Sequence, residues 1–356
     1  MSIKTMEPGI YFGLPEEEYH AAFALSASGI KHMKMSTLDF WMRSPLNPEP
    51  PDESMTDSFA KTLGSAYHKR IVEGRALFDT LYAPEIDKDD YPNALYTVED
   101  LKDALAKRDQ KSKGKKADLI EQLLGADPSA QIWDVIAESY RDQHDGKIFL
   151  PQKYMANIEI AAAMIERDPV LCKAFSGGQP EVSIFWNAEI ELPDQSKFIV
   201  PMKRRLDYLK GKAIVELKTF GNPNERPIDR AIATAFASRR YHIDAAVSHE
   251  ACAQIAGLIK AERVFGQCVP ELLEALAKNE DKTFLFVFRS TGLAPVGRGR
   301  VFPTSSNMFS IGEIEIRAAK EKFAACSKAF AEGEPWVDSA PITAFDDSEI
   351  PSYAAE

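Results

Sequence analysis

The stretch that decides the fold reads Arg205-Leu-Asp-Tyr-Leu-Lys-Gly-Lys-Ala-Ile-Val-Glu-Leu-Lys218. Its pattern of apolar, polar and β-branched residues predicts a strand, a turn and a second strand at 197–209, 210–212 and 213–219. Successive side chains on a strand point to opposite faces. We therefore expect Glu216 and Lys218 to share one face of the second strand, while Val215 and Leu217 turn toward the core.

The two strands bring charged residues together on one hairpin. Asp207 lies on the first strand, on the same face as Lys203 and Arg205, and the second strand carries Glu216 and Lys218. Carboxylate oxygens suit Mg²⁺ or Mn²⁺, and a nearby lysine can orient or deprotonate a water and offset developing negative charge. The pattern is typical of metal-dependent phosphodiester hydrolysis. Solvated charges on an exposed hairpin are the alternative interpretation.

The charge balance restricts how the chain could contact nucleic acid. The 356 residues include 43 Lys and Arg against 54 Asp and Glu, a net charge of −11. Such a balance argues against a protein that coats nucleic acid, because non-specific binding neutralises phosphates with basic side chains. Any DNA contact must be local. The length predicts one core domain with an insertion.

The cysteines and the apolar runs indicate an ordinary protein interior. No Cys-x-x-Cys spacing suggests zinc or a disulfide framework. We therefore interpret the four cysteines as structural residues: Cys172, Cys252, Cys268 and Cys326. The opening Met-Ser-Ile-Lys-Thr-Met-Glu has no apolar signal region, and no apolar run approaches the thickness of a bilayer. We therefore expect a cytoplasmic protein with no membrane partner.

Residues 91–128 are predicted to form a separate helical segment with a basic loop. Two amphipathic helices are predicted from Thr97-Val-Glu-Asp-Leu-Lys-Asp-Ala-Leu and from Lys113-Gly-Lys-Lys-Ala-Asp-Leu-Ile-Glu-Gln-Leu-Leu, joined by a basic loop over 107–116. The segment resembles the SAP motif, a helix, extended loop and helix that binds DNA. This implies DNA contacts from Lys113, Lys115 and Lys116. A solvated helical hairpin with a charged loop is the alternative.

His68 ends the string Leu63-Gly-Ser-Ala-Tyr-His68 on a predicted helix that starts near Phe59. A lone histidine on an apolar-faced helix is more often a packed or surface residue than a ligand. Gly64, one turn earlier, would let another backbone or a metal centre approach closely. Both interpretations stay open at this point.

Further along the chain, Glu181 opens a predicted strand over 181–186, which should form an antiparallel meander with the two hairpin strands. Pro227 is predicted to open one long helix to about Ala261, carrying Arg240 and Tyr241. Two more strands and a closing helix are predicted at 283–288, 297–302 and 311–332. The tail after Pro335 is acidic.

Seven motifs occur in the order seen in the RecE-type exonucleases (exodeoxyribonuclease VIII), which belong to the PD-(D/E)xK nuclease superfamily. They are Gly9-Ile-Tyr, Leu25-Ser-Ala-Ser, Leu63-Gly-Ser-Ala-Tyr-His68, Glu181-x-Ser-Ile-Phe-Trp, Arg205-Leu-Asp207, Glu216-Leu-Lys218-Thr and Arg240-Tyr-His242. The resemblance implies an α/β (α+β) restriction-endonuclease-like core, with a central mixed sheet flanked by helices. It assigns 1–90 and 129–334 to the nuclease domain, 91–128 to the SAP-like insertion and 335–356 to an acidic tail.

The resemblance also implies roles for single residues. The metal ligands would be His68, Asp207 and Glu216. Lys218 would be the catalytic lysine, and Glu181 would be an acidic residue at the catalytic centre. DNA contacts would come from Arg205, Arg240 and Tyr241. Leu206 stands where the superfamily name has proline. Asp244 stands where the family usually has glutamine, and could be an extra ligand or could weaken phosphate binding.

The implied activity is Mg²⁺-dependent (or Mn²⁺-dependent) digestion of linear double-stranded DNA from its 5′ ends. The implied assembly is a homo-oligomeric ring, a tetramer, that feeds a single-strand annealing recombinase in recombination or phage DNA processing, in a bacterial cell or encoded by a phage. One alternative is a structure-specific endonuclease, which would cut closed circles. Another is a catalytically silent DNA-binding scaffold that acts through the SAP-like segment.

Overall fold

The computed structural model describes residues 5–51, 58–192, 194–278, 281–292, 294–338, 342, 344 and 346–349. Its strands are Gly9–Tyr11 (β1), Tyr82–Pro84 (β2), Ile148–Leu150 (β3), Gln179–Glu191 (β4), Lys197–Leu209 (β5), Ala213–Phe220 (β6), Val264–Phe265 (β7), Thr283–Ser290 (β8) and Gly297–Val301 (β9). Its α-helices are Glu16–Ala21 (α1), Ala27–Met35 (α2), Thr37–Met42 (α3), Phe59–His68 (α4), Arg75–Leu81 (α5), Val98–Ala106 (α6), Lys116–Ala126 (α7), Trp133–Gln143 (α8), Gln152–Arg167 (α9), Ile228–Ser238 (α10), Tyr241–Lys260 (α11), Pro270–Ala277 (α12) and Asn307–Ala329 (α13).

A seven-stranded mixed sheet organises the chain, in the order β7-β1-β4-β5-β6-β8-β9. Strands β4, β5 and β6 are antiparallel neighbours, which confirms the predicted meander, while β6 pairs with β8 in parallel. Helices cover both faces of the sheet, so the predicted mixed sheet flanked by helices is confirmed. The short strands β2 and β3 form a separate parallel pair.

The hairpin that carries the charged residues forms as predicted. Strand β5 has the predicted bounds, and β6 extends one residue further, to Phe220. The two strands pair at Tyr208 with Val215 and at Leu209 with Ile214. Beyond these pairs they separate, which opens a gap between the strands where the predicted site residues lie.

Burial on both faces of β6 explains its sequence. Val215 and Leu217 pack with Val287 into one apolar cluster, as the alternation predicted. Ile214, on the other face, joins the large cluster that contains α11. Because helices cover this face as well, Glu216 is only 2% exposed. A carboxylate buried this deeply needs a compensating partner.

The prediction of one helix from Pro227 to Ala261 is wrong. The chain forms α10 and α11, with a break at Arg240, whose φ of 52° is left-handed. A left-handed residue cannot continue a right-handed helix. The Arg240 side chain is held outside the helix by an ion pair with Glu315 at 3.3 Å. Neither glycine nor proline marks the break, so no local pattern predicts it.

Residues around the SAP-like segment have their own small apolar core. Helices α6 and α7 pack together around Leu101, Leu105, Leu119 and Leu123. Thr97 begins α6 with a reciprocal pair of capping hydrogen bonds to Asp100. In the described part of the chain, no helix is both long enough and apolar enough to cross a membrane.

Candidate active site

His68 is the last residue of α4, and a π-helical turn over Lys69–Glu73 follows it directly. Hydrogen bonds in a π-helix join residues five apart, so this turn brings Glu73 beneath the histidine ring. His68 Nδ1 lies 3.7 Å from Glu73 Oε1. The turn stops at Gly74, whose φ of 99° favours glycine.

Gly64 allows α4 to lie close to β6. A Cβ atom at Gly64 would come within 3.3 Å of Thr219 Oγ1, a tight contact. Thr219 follows Lys218 directly, so the helix that ends at His68 packs against the strand that carries the lysine. The sequence interpretation expected another backbone or a metal centre near Gly64; the close neighbour is instead the Thr219 side chain on β6.

The other ring nitrogen of His68 faces two carboxylates. His68 Nε2 lies 3.3 Å from Asp207 Oδ2 and 3.4 Å from Glu181 Oε1. With Glu73 they form what we call the acidic cluster: His68, Glu73, Glu181 and Asp207. Potential ligand atoms of His68, Glu73 and Glu181 all lie within 4.8 Å of one another.

Glu181 occupies an unusual backbone conformation. Its φ of 55° is left-handed, which costs a non-glycine residue about 1 kcal/mol or more. It lies opposite Asp207, at a position where regular pairing between β4 and β5 is interrupted while the register continues on both sides. An ion pair with Arg205 holds the Glu181 carboxylate, and Arg205 also donates to Leu14 O at 2.9 Å.

Asp207 links the acidic cluster to β6. The backbone N–H of Leu217 donates to Asp207 Oδ2 at 2.8 Å. Because β5 and β6 have separated here, a side-chain oxygen accepts a hydrogen bond that a strand partner would otherwise accept. The carboxylate is thereby fixed beside the peptide that joins Glu216 to Leu217.

A second group of charges surrounds Glu216, and we call it the lysine network: Lys31, Arg204, Glu216, Lys218 and Asp244. Glu216 Oε1 accepts hydrogen bonds from Arg204 at 2.6 Å and from Lys218 at 2.8 Å. Glu216 Oε2 is buried and has no hydrogen-bond partner among the described residues. A buried carboxylate oxygen without a partner is costly unless a cation or a donor reaches it.

The structure shows what surrounds Asp244. Its carboxylate accepts a hydrogen bond from Lys31 at 2.8 Å and lies 3.7 Å from Arg204 and 3.8 Å from Lys218. Asp244 therefore balances the charge of three cations, and its contacts are with these cations rather than with the acidic cluster. Lys31 and Lys218 also lie 5.5 Å and 5.0 Å from the centroid of the Tyr241 ring.

Burial and neighbouring charges set the protonation of the acidic cluster. Burial alone would raise the pKa of Asp207, but the nearby His68 outweighs it and lowers that pKa to about 2. Burial would lower the pKa of His68, yet Asp207 and Glu73 raise it well above its usual value. Burial raises the pKa of Glu181. Without a bound cation, Asp207 and His68 are thus an ion pair.

Lys218 is stabilised as an ammonium. Burial opposes its charge, but Glu216 and Asp244 outweigh burial and raise the pKa of Lys218. A lysine held in this way is a poor proton acceptor near neutral pH. Of the three roles expected for it, charge stabilisation and orientation of water fit this environment, while deprotonation of water does not.

Both groups of charges open into one cleft of about 480 Å³. Its walls include His68 and Glu181 from the acidic cluster, Lys218 from the lysine network, and Tyr241. Further cations on the walls are Lys61, Lys69 and Arg239. Glu16 and Glu181 present carboxylates to the cleft beside these cationic groups, an arrangement that suits a phosphodiester held through a cation.

Residues expected to contact DNA lie in different settings. Tyr241 lines the cleft, whereas Arg205 is engaged by Glu181 and Arg240 by Glu315. In the SAP-like segment, Lys113 and Lys115 are exposed on the loop. Lys116 instead donates to Tyr96 O at 3.1 Å and pairs with Asp134 at 2.5 Å.

Sequence reasoning missed three residues of the site, Glu73, Lys31 and Arg204. The spacing His68-x4-Glu73 was visible, but these side chains meet only because the helix changes to a π turn. Lys31 lies on α2, shortly after the Leu25-Ser-Ala-Ser motif, and reaches Asp244 across a large sequence separation. Only tertiary packing brings those two together.

Comparisons with known proteins add little to this geometry. No protein family matches the sequence, and no curated protein resembles it. Among solved structures, a protein named "Putative exonuclease" from Eubacterium rectale aligns with 72% of this chain and 93% of its own, at 15% identity and a TM-score of 0.31. At these values the likeness establishes neither a shared fold nor a shared activity.

Proposed function

We propose that this chain is a metal-dependent nuclease that hydrolyses phosphodiester bonds of linear double-stranded DNA as an exonuclease. The observation that carries the proposal is one cleft lined by His68 and Glu181 of the acidic cluster and by Lys218 of the lysine network, two groups that the hydrogen bond between Leu217 and Asp207 joins. Phosphodiester hydrolysis needs a divalent cation beside the scissile phosphate and positive charge to balance the transition state.

The residues present fit a divalent cation. Asp207 and Glu181 offer carboxylate oxygens, and His68 offers Nε2, which faces both of them. Glu216 Oε2, in the neighbouring lysine network, is buried and has no hydrogen-bond partner among the described residues, which supports a cation or donor close to it. A donor set dominated by oxygen suits Mg²⁺ or Mn²⁺. When bound, such a cation would activate a water and offset charge on the phosphoryl oxygens.

The chain's own residues have separate tasks in this proposal. Lys218 presents an ammonium to the cleft, where it stabilises negative charge on the phosphate. Glu216 and Asp244 hold that ammonium in place through contacts at 2.8 Å and 3.8 Å. Tyr241 forms part of the wall, and its ring contacts Lys218. His68 is placed to accept a cation at Nε2 once its proton leaves.

The finer parts of the proposal are supported by the resemblance to RecE-type exonucleases. These are digestion from 5′ ends, a ring-shaped tetramer, a single-strand annealing recombinase as partner, and a role in recombination or phage DNA processing. The resemblance of residues 91–128 to the SAP motif supports a DNA contact outside the cleft. There, Lys113 and Lys115 provide exposed positive charge.

The test compares wild type with Lys218→Ala on a linear duplex, with and without Mg²⁺. We expect wild type to release nucleotides only with the cation, and the variant to be slower by about 100-fold or more, since it lacks charge stabilisation at the phosphate. Lys278→Ala, which removes an exposed lysine at the end of α12, is the matched control and should be unaffected. Full activity of Lys218→Ala would contradict the assigned role.

A further inference from the structure

A second cleft, of about 320 Å³, begins at Phe220, just beyond the catalytic lysine on the same strand. The connection between β6 and α10 forms one wall and one side of α10 forms the other. We call it the basic cleft. It lies next to the active-site cleft, because Arg239 lines both of them.

The charged residues that line the basic cleft are all cationic. The lining includes Arg226 and Arg239, the amides of Asn222 and Asn224, and no Asp or Glu. This is unusual in a protein whose net charge is −11. A cleft with guanidinium and amide donors and no carboxylate favours an anionic ligand.

Both arginines have N–H donors that make no hydrogen bond to another described residue. Among the described residues, no carboxylate lies within ion-pair distance of either side chain, and the guanidinium of Arg226 makes one long contact, 3.4 Å to Thr234 Oγ1. The nearby acid, Asp229, forms ion pairs with Arg300 and Arg298, which do not line the cleft. Arg239 is exposed at the junction of the two clefts. Its guanidinium is therefore available to a ligand that enters either of them.

The break between α10 and α11 determines where the side chain of Arg239 lies. The backbone N–H of Arg239 still donates to Ala235 O at 3.0 Å, so this residue ends α10. The left-handed conformation of Arg240 then redirects the chain, and the Arg240 side chain pairs with Glu315. Two consecutive arginines thus serve different purposes: Arg240 is tied to α13, and Arg239 faces the clefts.

We propose that the basic cleft binds backbone phosphates of the DNA strand that enters the active site, on the side next to the hydrolysed bond. Arg239 and Arg226 would be the phosphate-binding residues, with the Asn224 amide as a further donor, while the Asn222 amide holds the loop through hydrogen bonds with the backbone of Arg226. The proposal rests on the proposed nuclease function and deepens it. Because the proposal assigns these donors to backbone phosphates rather than to base edges, binding should be independent of sequence.

The test measures binding of fluorescently labelled linear duplex DNA to the full chain across a salt series, in an Asp207→Asn background that slows digestion at least about 100-fold. In the double variant Arg226→Ala/Arg239→Ala we expect roughly tenfold weaker binding, and a slope of log affinity against log salt reduced by about 1 for each arginine. Arg226→Lys/Arg239→Lys keeps both charges and should restore most of the slope. Arg167→Ala/Arg317→Ala removes two exposed arginines elsewhere and should change little.

The outcomes separate this proposal from the one on which it rests. If wild type digests DNA while the double alanine variant binds with unchanged affinity and salt slope, the basic cleft is not a phosphate site and the nuclease assignment stands. If wild type neither binds nor digests DNA, the nuclease assignment fails and the cleft proposal fails with it. Circular dichroism of each variant at 25 °C and on heating verifies that the fold is retained.

Discussion

Asp207 and Leu217 are joined by a hydrogen bond of 2.8 Å, from the backbone N–H of Leu217 to Oδ2 of Asp207, at the point where β5 and β6 separate. The same carboxylate oxygen lies 3.3 Å from His68 Nε2. One atom therefore contacts the helix that carries the histidine and the strand that carries Glu216 and Lys218. This relationship links α4, β5 and β6 at the candidate site.

Asp207→Asn should separate the chemical role of this residue from its structural role. The amide oxygen can still accept the hydrogen bond from Leu217, but the negative charge that faces His68 is lost. We expect a folded protein that binds linear duplex DNA and digests it at least about 100-fold more slowly with Mg²⁺. Asp207→Ala, which also removes the acceptor, should in addition lower the melting temperature. Rapid digestion by Asp207→Asn would contradict the role of the acidic cluster.

Glu73 is expected to position His68. Its carboxylate lies 3.7 Å from Nδ1, so it favours the ring orientation in which Nε2 points to Asp207 and Glu181. Loss of such a partner typically weakens a metal site by about 10–100-fold. For Glu73→Ala we expect the Mg²⁺ concentration at half-maximal activity to rise within that range, with a smaller change in the maximal rate. Glu85→Ala, an exposed acid, is the control. An unchanged Mg²⁺ requirement would argue against this positioning.

Lys203 should make the protein more stable as the pH rises above 8. It is 6% exposed and donates to the carbonyl oxygens of Tyr19 and Ala22 at 2.8 Å and 2.6 Å, and burial lowers its pKa to about 8. In the unfolded chain a lysine keeps a pKa of about 10.4. Between these values the unfolded state binds more protons, so the free energy of unfolding rises with pH. The cost of charging Lys203 is fully present below pH 8 and is relieved toward pH 10.4.

The gain amounts to about 3 kcal/mol for such a difference in pKa. Urea unfolding at pH 7.5 and pH 10 would measure it in wild type and in Lys203→Met. The methionine variant cannot titrate at this position, so between these two pH values we expect wild type to gain about 2 kcal/mol more stability than the variant. Identical pH responses in the two proteins would show that Lys203 titrates normally.

The lysines of the basic loop should divide into two classes. Lys113 and Lys115 are exposed, whereas Lys116 is held by Asp134 and Tyr96 O. For Lys113→Ala/Lys115→Ala we expect weaker DNA binding with a smaller salt dependence and an unchanged melting temperature. For Lys116→Ala we expect a local loss of stability in the SAP-like segment, seen as faster amide exchange in α6 and α7. Equal effects of both variants on the salt slope would contradict this division.

Local patterns were enough to predict the hairpin and its neighbours. Alternating apolar residues placed β5 and β6, and the burial of Val215 and Leu217 followed from the period of a strand. The same alternation put Glu216 beside Lys218, and their side chains do meet at 2.8 Å. Such features depend on residues close together in the chain, which is why sequence alone reached them.

Other features depend on distant packing or on unusual backbone, and sequence reasoning missed them. Glu73 joins the site through a π turn, and the left-handed conformation of Arg240 divides a segment that reads as one helix. The left-handed Glu181 is held by Arg205. Lys31 meets Asp244 only in the folded chain. In each case tertiary contacts outweigh the local preference of the sequence.

The most direct test of the nuclease assignment is digestion of linear duplex DNA labelled at its 5′ or its 3′ ends, beside closed circular DNA, with Mg²⁺. Wild type and Asp207→Asn are compared. We expect wild type to degrade the linear DNA, to release the 5′ label first and to leave the circle intact. We expect Asp207→Asn to lack this activity. Nicking of the circle would indicate an endonuclease, and binding without cleavage by either protein would indicate a catalytically silent scaffold. Either result would contradict the exonuclease proposal.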